Sequence, residues 1–262
     1  MAKVHGRPLW FELATSKGSL DSAGDFYRRV LGWQVADAGM EGFAYHLARA
    51  DGDMVAGLME IPGDLSGMSP NWTIYFGVDD ADRAAAGIKA TGGRVFRGPA
   101  DIPGTGRFAI AADPQEAVFG ILSPLPMPDG AGGHAFDQQK AAHGNWTELM
   151  SSDPAAAFGF YAGLFGWQKS DAMDMGDMGT YQLFSHDGAD IGGMMGLGNA
   201  PQPCWLAYFG VNGVNPAVRR ITDAGGTVQH GPTPVPGGAH IAVATDPQGA
   251  WFAVVGPLEV TP

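Results

Sequence analysis

The segment Trp72–Val78, with the sequence WTIYFGV, returns as WLAYFGV at Trp205–Val211. Each copy is a short run of aromatic and β-branched residues, which is typical of a buried β-strand. Each copy is followed by a helical pattern that ends in a pair of glycines. The same strand and helix therefore occur twice, which indicates a chain built from repeats.

The repetition extends over nearly the whole chain. The WFEL of Trp10–Leu13 returns as the WTEL of Trp146–Leu149, and other matches keep the same order at offsets of 133 to 136 residues. These matches predict two homologous halves, 1–125 and 143–262, joined by an irregular linker at 126–142 that begins with prolines and glycines. The further matched pairs are Phe26-Tyr27 with Phe160-Tyr161, Gly32-Trp33-Gln34 with Gly166-Trp167-Gln168, and Asp113-Pro114-Gln115 with Asp246-Pro247-Gln248.

Each half contains two copies of one unit, a strand, a helix and three more strands. Asp153 and Pro154 predict the start of a helix as N-cap and first helical residue. Gly32 and Gly166 stand where a helix C-cap is expected. In the first half the pattern predicts helices near 22–31 and 80–90, and strands near 34–36, 43–48, 53–60, 72–78, 94–96, 107–111 and 118–122.

Composition excludes several classes of function. The formal charge is −12, and a polyanion such as DNA would be repelled, so no nucleic-acid partner is expected. No run of about 18 apolar residues occurs, which predicts no membrane-spanning helix. The single cysteine excludes an internal disulfide. We expect a cytoplasmic protein, a monomer or weak homodimer.

The repeated Phe-Tyr and Gly-Trp residues and the Asp-Pro-Gln before each closing strand resemble the vicinal oxygen chelate superfamily. That superfamily includes glyoxalase I, bleomycin-resistance proteins and extradiol dioxygenases. The resemblance implies an α+β fold, in which four βαβββ modules pair into two open barrels, each around a cavity. The long tandem form is similar to an actinobacterial "hydroxylase" or secreted-antigen branch, whose activity is poorly defined.

The resemblance also implies where a metal would be held in each half. Metal-dependent members carry His, Gln or Glu on the first and last strand of each module. None of the residues at these positions is a good ligand for a divalent metal, and only a threonine among them offers an oxygen. We therefore expect no metal cofactor. The positions are Trp10, Gly57, Thr73 and Gly120 in the first half and Trp146, Gly193, Leu206 and Ala253 in the second.

Glu12 and Glu148 are the sharpest candidates for catalytic residues. Strand alternation places each on the same face as the tryptophan two residues earlier, which is the face of the missing ligand position. A carboxylate among aromatic rings has a raised pKa and can act as a general base. The alternative is a glutamate that only hydrogen-bonds the scaffold.

Four aromatic residues are candidates for substrate binding. Trp10 and Trp146 offer flat surfaces for a planar ligand, and Tyr75 and Tyr208 could donate hydrogen bonds to it. The alternative for all four is ordinary core packing.

The halves differ at two positions that bear on chemistry. Arg107 corresponds to His240: the arginine suits an anionic ligand group, and the histidine suits acid–base catalysis near neutral pH. Either residue could instead be a solvated loop end. The lone Cys204 corresponds to Asn71, and we expect a buried, inert thiol.

Three functions remain open from the sequence. The first is a metal-free protein that binds a small, aromatic or anionic organic molecule, with glutamate-assisted proton transfer. The second is a metal-dependent glyoxalase-type lyase, isomerase or dioxygenase with unusual ligands, such as Glu12, Glu148 and His240. The third is a scaffold with filled cavities.

Overall fold

The computed structural model describes residues 4–65, 67–126, 134–198 and 200–260. The first repeat contains β1 (Pro8–Thr15), α1 (Leu20–Leu31), β2 (Gln34–Asp37), β3 (Tyr45–Ala50), β4 (Asp53–Glu60), β5 (Asn71–Gly77), α2 (Ala81–Ala90), β6 (Arg94–Ile102), β7 (Gly106–Ala112) and β8 (Val118–Pro124). The second contains β9 (Gly144–Ser151), α3 (Pro154–Phe165), β10 (Gln168–Asp174), β11 (Thr180–His186), β12 (Ala189–Gly196), β13 (Cys204–Gly210), α4 (Val214–Asp223), β14 (Thr227–Pro234), β15 (His240–Thr245) and β16 (Trp251–Gly256).

Each repeat forms one eight-stranded mixed sheet. The strand orders are β2-β3-β4-β1-β5-β8-β7-β6 and β10-β11-β12-β9-β13-β16-β15-β14. The first strand of every module runs parallel to the last strand of that module, and the hairpins between are antiparallel. The α+β fold with four βαβββ modules, as predicted, is confirmed.

The predicted caps of α3 and α1 are also confirmed. The Asp153 carboxylate accepts a hydrogen bond from the Ala156 amide at 3.0 Å, with Pro154 as the first helical residue. Gly32 and Gly166 end their helices with φ of 77° and 74°, a left-handed conformation that glycine adopts without steric cost.

Several predicted boundaries were wrong. The helix expected from residue 22 begins at Leu20, and the strand expected from 43 begins at Tyr45. The strand expected to end at 96 continues as β6 to Ile102, because a β-bulge accommodates Pro99, which has no N–H to donate. Residues 127–133 of the predicted linker lie outside the described residues.

The chain divides into two compact units, which do not coincide with the repeats. Unit 1 comprises the described residues within Met1–Leu9, Ile74–Gly133 and Thr147–Leu206. Unit 2 comprises those within Trp10–Thr73, His134–Trp146 and Ala207–Pro262. Each unit therefore combines one module of the first repeat with one module of the second.

A buried hydrogen-bond network holds unit 2 together. Trp72 Nε1 donates to the Tyr27 hydroxyl at 2.8 Å, and that hydroxyl donates to the Asp246 carboxylate at 3.1 Å. The same carboxylate accepts from the backbone amides of Gln248 and Ala250, both at 2.9 Å. A helix of the first repeat is thereby fixed to a turn of the second, and buried polar groups are satisfied.

Unit 1 contains the equivalent network. Trp205 Nε1 donates to the Tyr161 hydroxyl at 2.9 Å, which donates to the Asp113 carboxylate at 3.1 Å. Asp113 also accepts from the amides of Gln115 and Ala117 at 2.9 Å. The repeated Phe-Tyr and Asp-Pro-Gln residues thus contribute to the same type of buried hydrogen-bond network in both units.

Among the described residues, none of the helices combines the length and the apolar character that crossing a membrane requires.

Candidate functional site

Strand β1 presents two faces with different environments. Phe11 and Leu13 are fully buried. Trp10 and Glu12 alternate with them, are only half-buried and point to the opposite side of the sheet. We call the side of the sheet to which the half-buried Trp10 and Glu12 point the second face, and we use the same term for the corresponding side in the other repeat.

Within unit 2, Trp10 and Glu12 are joined through Tyr45 on β3. Trp10 Nε1 donates to the Tyr45 hydroxyl at 3.1 Å, and that hydroxyl donates to Glu12 Oε2 at 3.0 Å. Burial, and then the neighbouring Glu12 carboxylate, raise the pKa of the Tyr45 phenol well above its ordinary range. Tyr45 therefore stays protonated and donates to Glu12. We call these three residues the Glu12 cluster.

Gly57 makes room for the Glu12 cluster. It lies opposite Glu12 in the β1–β4 register. A Cβ at this position would lie 1.8 Å from the Tyr45 hydroxyl oxygen and 2.3 Å from its Cζ. The Tyr45 ring thus occupies the space that a side chain at position 57 would need. It also stacks on Phe43, with ring centroids 6.0 Å apart and planes at 25°.

Unit 1 has a related arrangement in the third module. Glu148 lies opposite Gly193 in the β9–β12 register, and a Cβ at Gly193 would lie 2.2 Å from Tyr181 Cε1. Here Cys204 is close to Glu148: burial, and then the Glu148 carboxylate, raise the pKa of the Cys204 thiol to about 11. Cys204 is half-buried rather than buried as predicted. A thiol with that pKa is protonated at neutral pH, which is typical of an unreactive cysteine.

The second module, also in unit 1, carries a third tyrosine over a glycine. Tyr75 is opposite Gly120 in the β5–β8 register, and a Cβ at Gly120 would lie 2.3 Å from Tyr75 Cδ1. The Tyr75 ring is 6.4 Å from that of Phe108 on β7. Tyr75 is thus buried over the sheet rather than extended from it.

The remaining predicted site residues lie on strands other than β1 and β3. Arg107 is engaged by acids: its guanidinium binds the Asp82 carboxylate at 2.7 and 3.0 Å and Asp101 at 2.8 Å. His240 is half-buried at the start of β15, and its buried Nδ1 has no hydrogen-bond partner among the described residues. Tyr208 is buried opposite Ala253, and Trp146 is half-buried on β9.

Tyr45 was missed by the sequence reasoning, although a signal existed. Tyr45 and Tyr181 are separated by 136 residues, an offset at which other repeated residues match. Each is the tyrosine that packs over the glycine facing a repeated glutamate. A residue-by-residue comparison of the two repeats would have identified both tyrosines.

The residues at the family's ligand positions do not fit a divalent metal. In unit 2 they are Trp10, Gly57, Thr73, Trp146 and Ala253. The Thr73 hydroxyl donates to the Asn71 side chain at 3.3 Å. None offers an imidazole or carboxylate, and a tyrosine ring covers Gly57. Across the part of the chain that the structure describes, no three His, Cys, Asp or Glu side chains are grouped so as to hold a metal ion.

Fold and sequence together define the class of the protein. A family model described as "Glyoxalase/Bleomycin resistance protein/Dioxygenase superfamily" matches residues 13–121 and 144–254. The chain belongs to this superfamily, which confirms the resemblance found in the sequence.

Particular relatives are similar over nearly their full length. The chain is 32% identical to the anthracycline biosynthesis protein DauV of Streptomyces sp., with 98% of this chain and 95% of the relative covered. It is 31% identical to the putative glyoxylase CFP32 of Mycobacterium tuberculosis, with 96% and 95% covered.

Solved structures share the fold at low sequence identity. The Mn(II)-bound glyoxalase from Novosphingobium aromaticivorans superposes with a TM-score of 0.65 at 16% identity, over 98% of this chain and 83% of that one. The 2,3-dioxygenase LapB from Pseudomonas sp. superposes with a TM-score of 0.64 at 17% identity, over 99% and 96%.

Proposed function

We propose that the protein binds a small planar organic molecule at the Glu12 cluster, without a divalent metal. The observation that carries the proposal is the hydrogen-bonded chain from Trp10 through Tyr45 to Glu12 on the second face of unit 2. It combines aromatic surface with one carboxylate, which is the usual composition of a small-molecule site.

The aromatic surface favours a planar ligand. Phe43 is 39% exposed and stacks on Tyr45, so one face of an aromatic pair borders the cluster. Stacking on such rings adds about 1 kcal/mol beyond the buried area. The name of DauV, a relative at 32% identity, connects it with anthracycline biosynthesis and supports an aromatic ligand.

The carboxylate favours a ligand that carries an O–H or N–H donor. Glu12 is held in place by the Tyr45 hydroxyl, which donates to Oε2. A ligand hydroxyl within hydrogen-bond reach of the same carboxylate would donate to it. In acid–base chemistry the ligand O–H bond breaks and its proton moves to a Glu12 oxygen.

The side chains at the ligand positions support metal independence. A side chain that coordinates from position 57 would have to displace Tyr45 and break both hydrogen bonds of the Glu12 cluster. The competing function, a metal-dependent glyoxalase or dioxygenase, is favoured by one observation, the shared fold with a Mn(II)-bound glyoxalase.

Two measurements on untagged protein test the proposal. Elemental analysis of protein prepared without chelator counts transition metal per chain, and calorimetric titration with 2-naphthol probes the site. We expect less than about one tenth of an equivalent of metal and a Kd below about 1 mM, the range of a small aromatic fragment. Near-stoichiometric metal, or no binding of 2-naphthol, would overturn the proposal.

Matched variants locate the binding. Glu12→Gln and Tyr45→Phe are expected to weaken 2-naphthol binding at least severalfold. The repeat counterpart Glu148→Gln serves as control and should leave the Kd unchanged. Equal loss in Glu12→Gln and Glu148→Gln would assign both residues to the scaffold.

A further inference from the structure

The β6–β7 hairpin of unit 1 carries a cation–aromatic pair that the proposed function does not use. Arg97 Cζ lies 5.7 Å from the centroid of the Phe108 ring, within the range of a cation–π contact. Phe108 is half-buried on β7, next to the fully buried Ala109, and its ring is 6.4 Å from that of Tyr75. Arg97, Phe108 and Tyr75 therefore form a row of one guanidinium and two rings.

The bulge in β6 determines where Arg97 stands. The β6–β7 register shifts on both sides of Arg97, between Val95 and Arg97 and again before Ala100. Gly98 has a φ of 85°, and a Cβ there would lie 2.5 Å from the Phe108 carbonyl oxygen. A bulge re-aims the side chains beside it, and only glycine fits this close approach.

Arg97 differs from the neighbouring arginines in its partners. Arg94 pairs with Glu116 at 3.1 Å, and Arg107 binds Asp82 and Asp101. Over the described ranges, no carboxylate pairs with Arg97 and no acceptor takes a hydrogen bond from it. In a chain with 27 acidic and 15 basic residues, this guanidinium is available for an external anion.

We propose that Arg97 and Phe108 bind the carboxylate of a planar aromatic acid. The ring of the ligand packs against Phe108, while the guanidinium presents two parallel N–H groups to the carboxylate. Arg suits this role because its planar fork matches a carboxylate and stacks on rings at the same time. The anion-binding role expected of Arg107 thus moves to Arg97, which has no ion pair within the described part of the chain.

The second repeat provides an internal contrast. At the equivalent bulge, His230-Gly231-Pro232 replaces Arg97-Gly98-Pro99, and Ile241 replaces Phe108. The His230 ring lies 3.1 Å from the Thr233 hydroxyl. Neither the planar fork nor the ring is present there, so we expect one site per chain.

Calorimetric titration of the full chain tests this proposal. The probes are 2-naphthoate and its neutral isostere 2-naphthamide. A charge-assisted bidentate contact predicts that the wild-type protein binds the carboxylate about tenfold more tightly than the amide. Arg97→Gln should remove this preference, and Phe108→Ile should weaken both probes.

The controls separate this site from nonspecific charge effects and from the Glu12 cluster. Arg94→Gln removes a nearby arginine that also lies over a phenylalanine, and should leave naphthoate binding unchanged. Glu12→Gln should also leave it unchanged, whereas it weakens 2-naphthol. Equal affinity for both probes, no binding of naphthoate, or full retention of the preference in a folded Arg97→Gln variant would each overturn the proposal.

Discussion

The two compact units share nearly the same buried network but differ on their second faces. Trp72, Tyr27 and Asp246 in unit 2 repeat the geometry of Trp205, Tyr161 and Asp113 in unit 1, with corresponding distances that agree within 0.1 Å. By contrast, Glu148 in unit 1 acts on the thiol of Cys204, whereas unit 2 has Asn71 at the position that matches Cys204.

This difference identifies residues that the fold itself does not require. Residues repeated in the buried networks satisfy polar groups that any such fold must satisfy, so they carry no information about a ligand. Residues that differ between equivalent faces are not required by the fold. Asn71 and Cys204, or Arg97 and His230, are therefore more informative about binding than the repeated Phe-Tyr pairs.

The largest expected effect is the loss of a buried aspartate. Asp246→Ala leaves two backbone amides and the Tyr27 hydroxyl without their acceptor, and Asp113→Ala does the same in unit 1. We expect each variant to lose about 3 kcal/mol of unfolding free energy, measured by urea denaturation. Asp223→Ala, on an exposed position of α4, is the control and should change little.

Unequal losses of unfolding free energy would show that the two buried networks are not equivalent. If one aspartate variant lost less than half as much as the other, the matching distances would not reflect matching energies. The two networks would then have to be treated as different structures.

A smaller effect is expected where glycine makes room for tyrosine. Gly57→Ala and Gly193→Ala both place a Cβ within about 2 Å of a tyrosine ring or hydroxyl, so the ring must move. Because the end of a side chain moves more readily than backbone, we expect a loss of about 2 kcal/mol each, measured by thermal or urea denaturation. Gly63→Ala, with no atom within 4 Å of its Cβ, is the control.

Gly57→Ala and Gly193→Ala also test whether ligand binding is confined to the Glu12 cluster. Gly57→Ala should weaken 2-naphthol binding, because it displaces Tyr45 from Glu12, while Gly193→Ala should not. Equal weakening by both would argue against a site confined to the Glu12 cluster.

The repeats made much of this fold predictable from the sequence. Asp153-Pro154 and the capping glycines have local physical reasons to end or begin a helix, and they were placed correctly. The continuation of β6 through Gly98-Pro99 was not predictable, because a bulge depends on the partner strand. The compact units escaped prediction for a related reason: similarity along the chain reveals repeats, not which modules pack together.

The candidate site was likewise only partly predictable from the sequence. Glu12 and Trp10 follow from strand alternation, but their link through Tyr45 requires knowing which residues face Gly57 across two strands. The engagement of Arg107 by Asp82 likewise depends on a helix about 25 residues away in sequence. The partner of a charged group is determined by the tertiary structure, which the sequence alone does not reveal.

Tyr45→Phe should have a modest effect on stability. It keeps the ring over Gly57 and removes only the hydroxyl that accepts from Trp10 and donates to Glu12. We expect a loss of about 1 kcal/mol in urea denaturation, the usual net value of a hydrogen bond. A loss above about 3 kcal/mol would assign the Glu12 cluster to the scaffold, like the buried networks, and would remove the contrast between the faces.

The smallest effect concerns the thiol of unit 1. With a pKa of about 11, Cys204 holds very little thiolate at pH 8, so iodoacetamide should react far more slowly than with an unperturbed thiol of pKa about 8.5. Glu148→Gln removes a negative charge that disfavours the thiolate. The pKa of Cys204 should therefore fall and the alkylation rate at pH 8 should rise severalfold.

Because the chain has one cysteine, the alkylation rate reports on this position alone. Glu12→Gln lies in the other unit and should leave the rate unchanged. If Glu148→Gln left the rate unchanged while the protein stayed folded, burial alone would account for the raised pKa of Cys204. Glu148 would then act on the thiol no more than Glu12 does, and Cys204 would no longer distinguish the surroundings of the two glutamates.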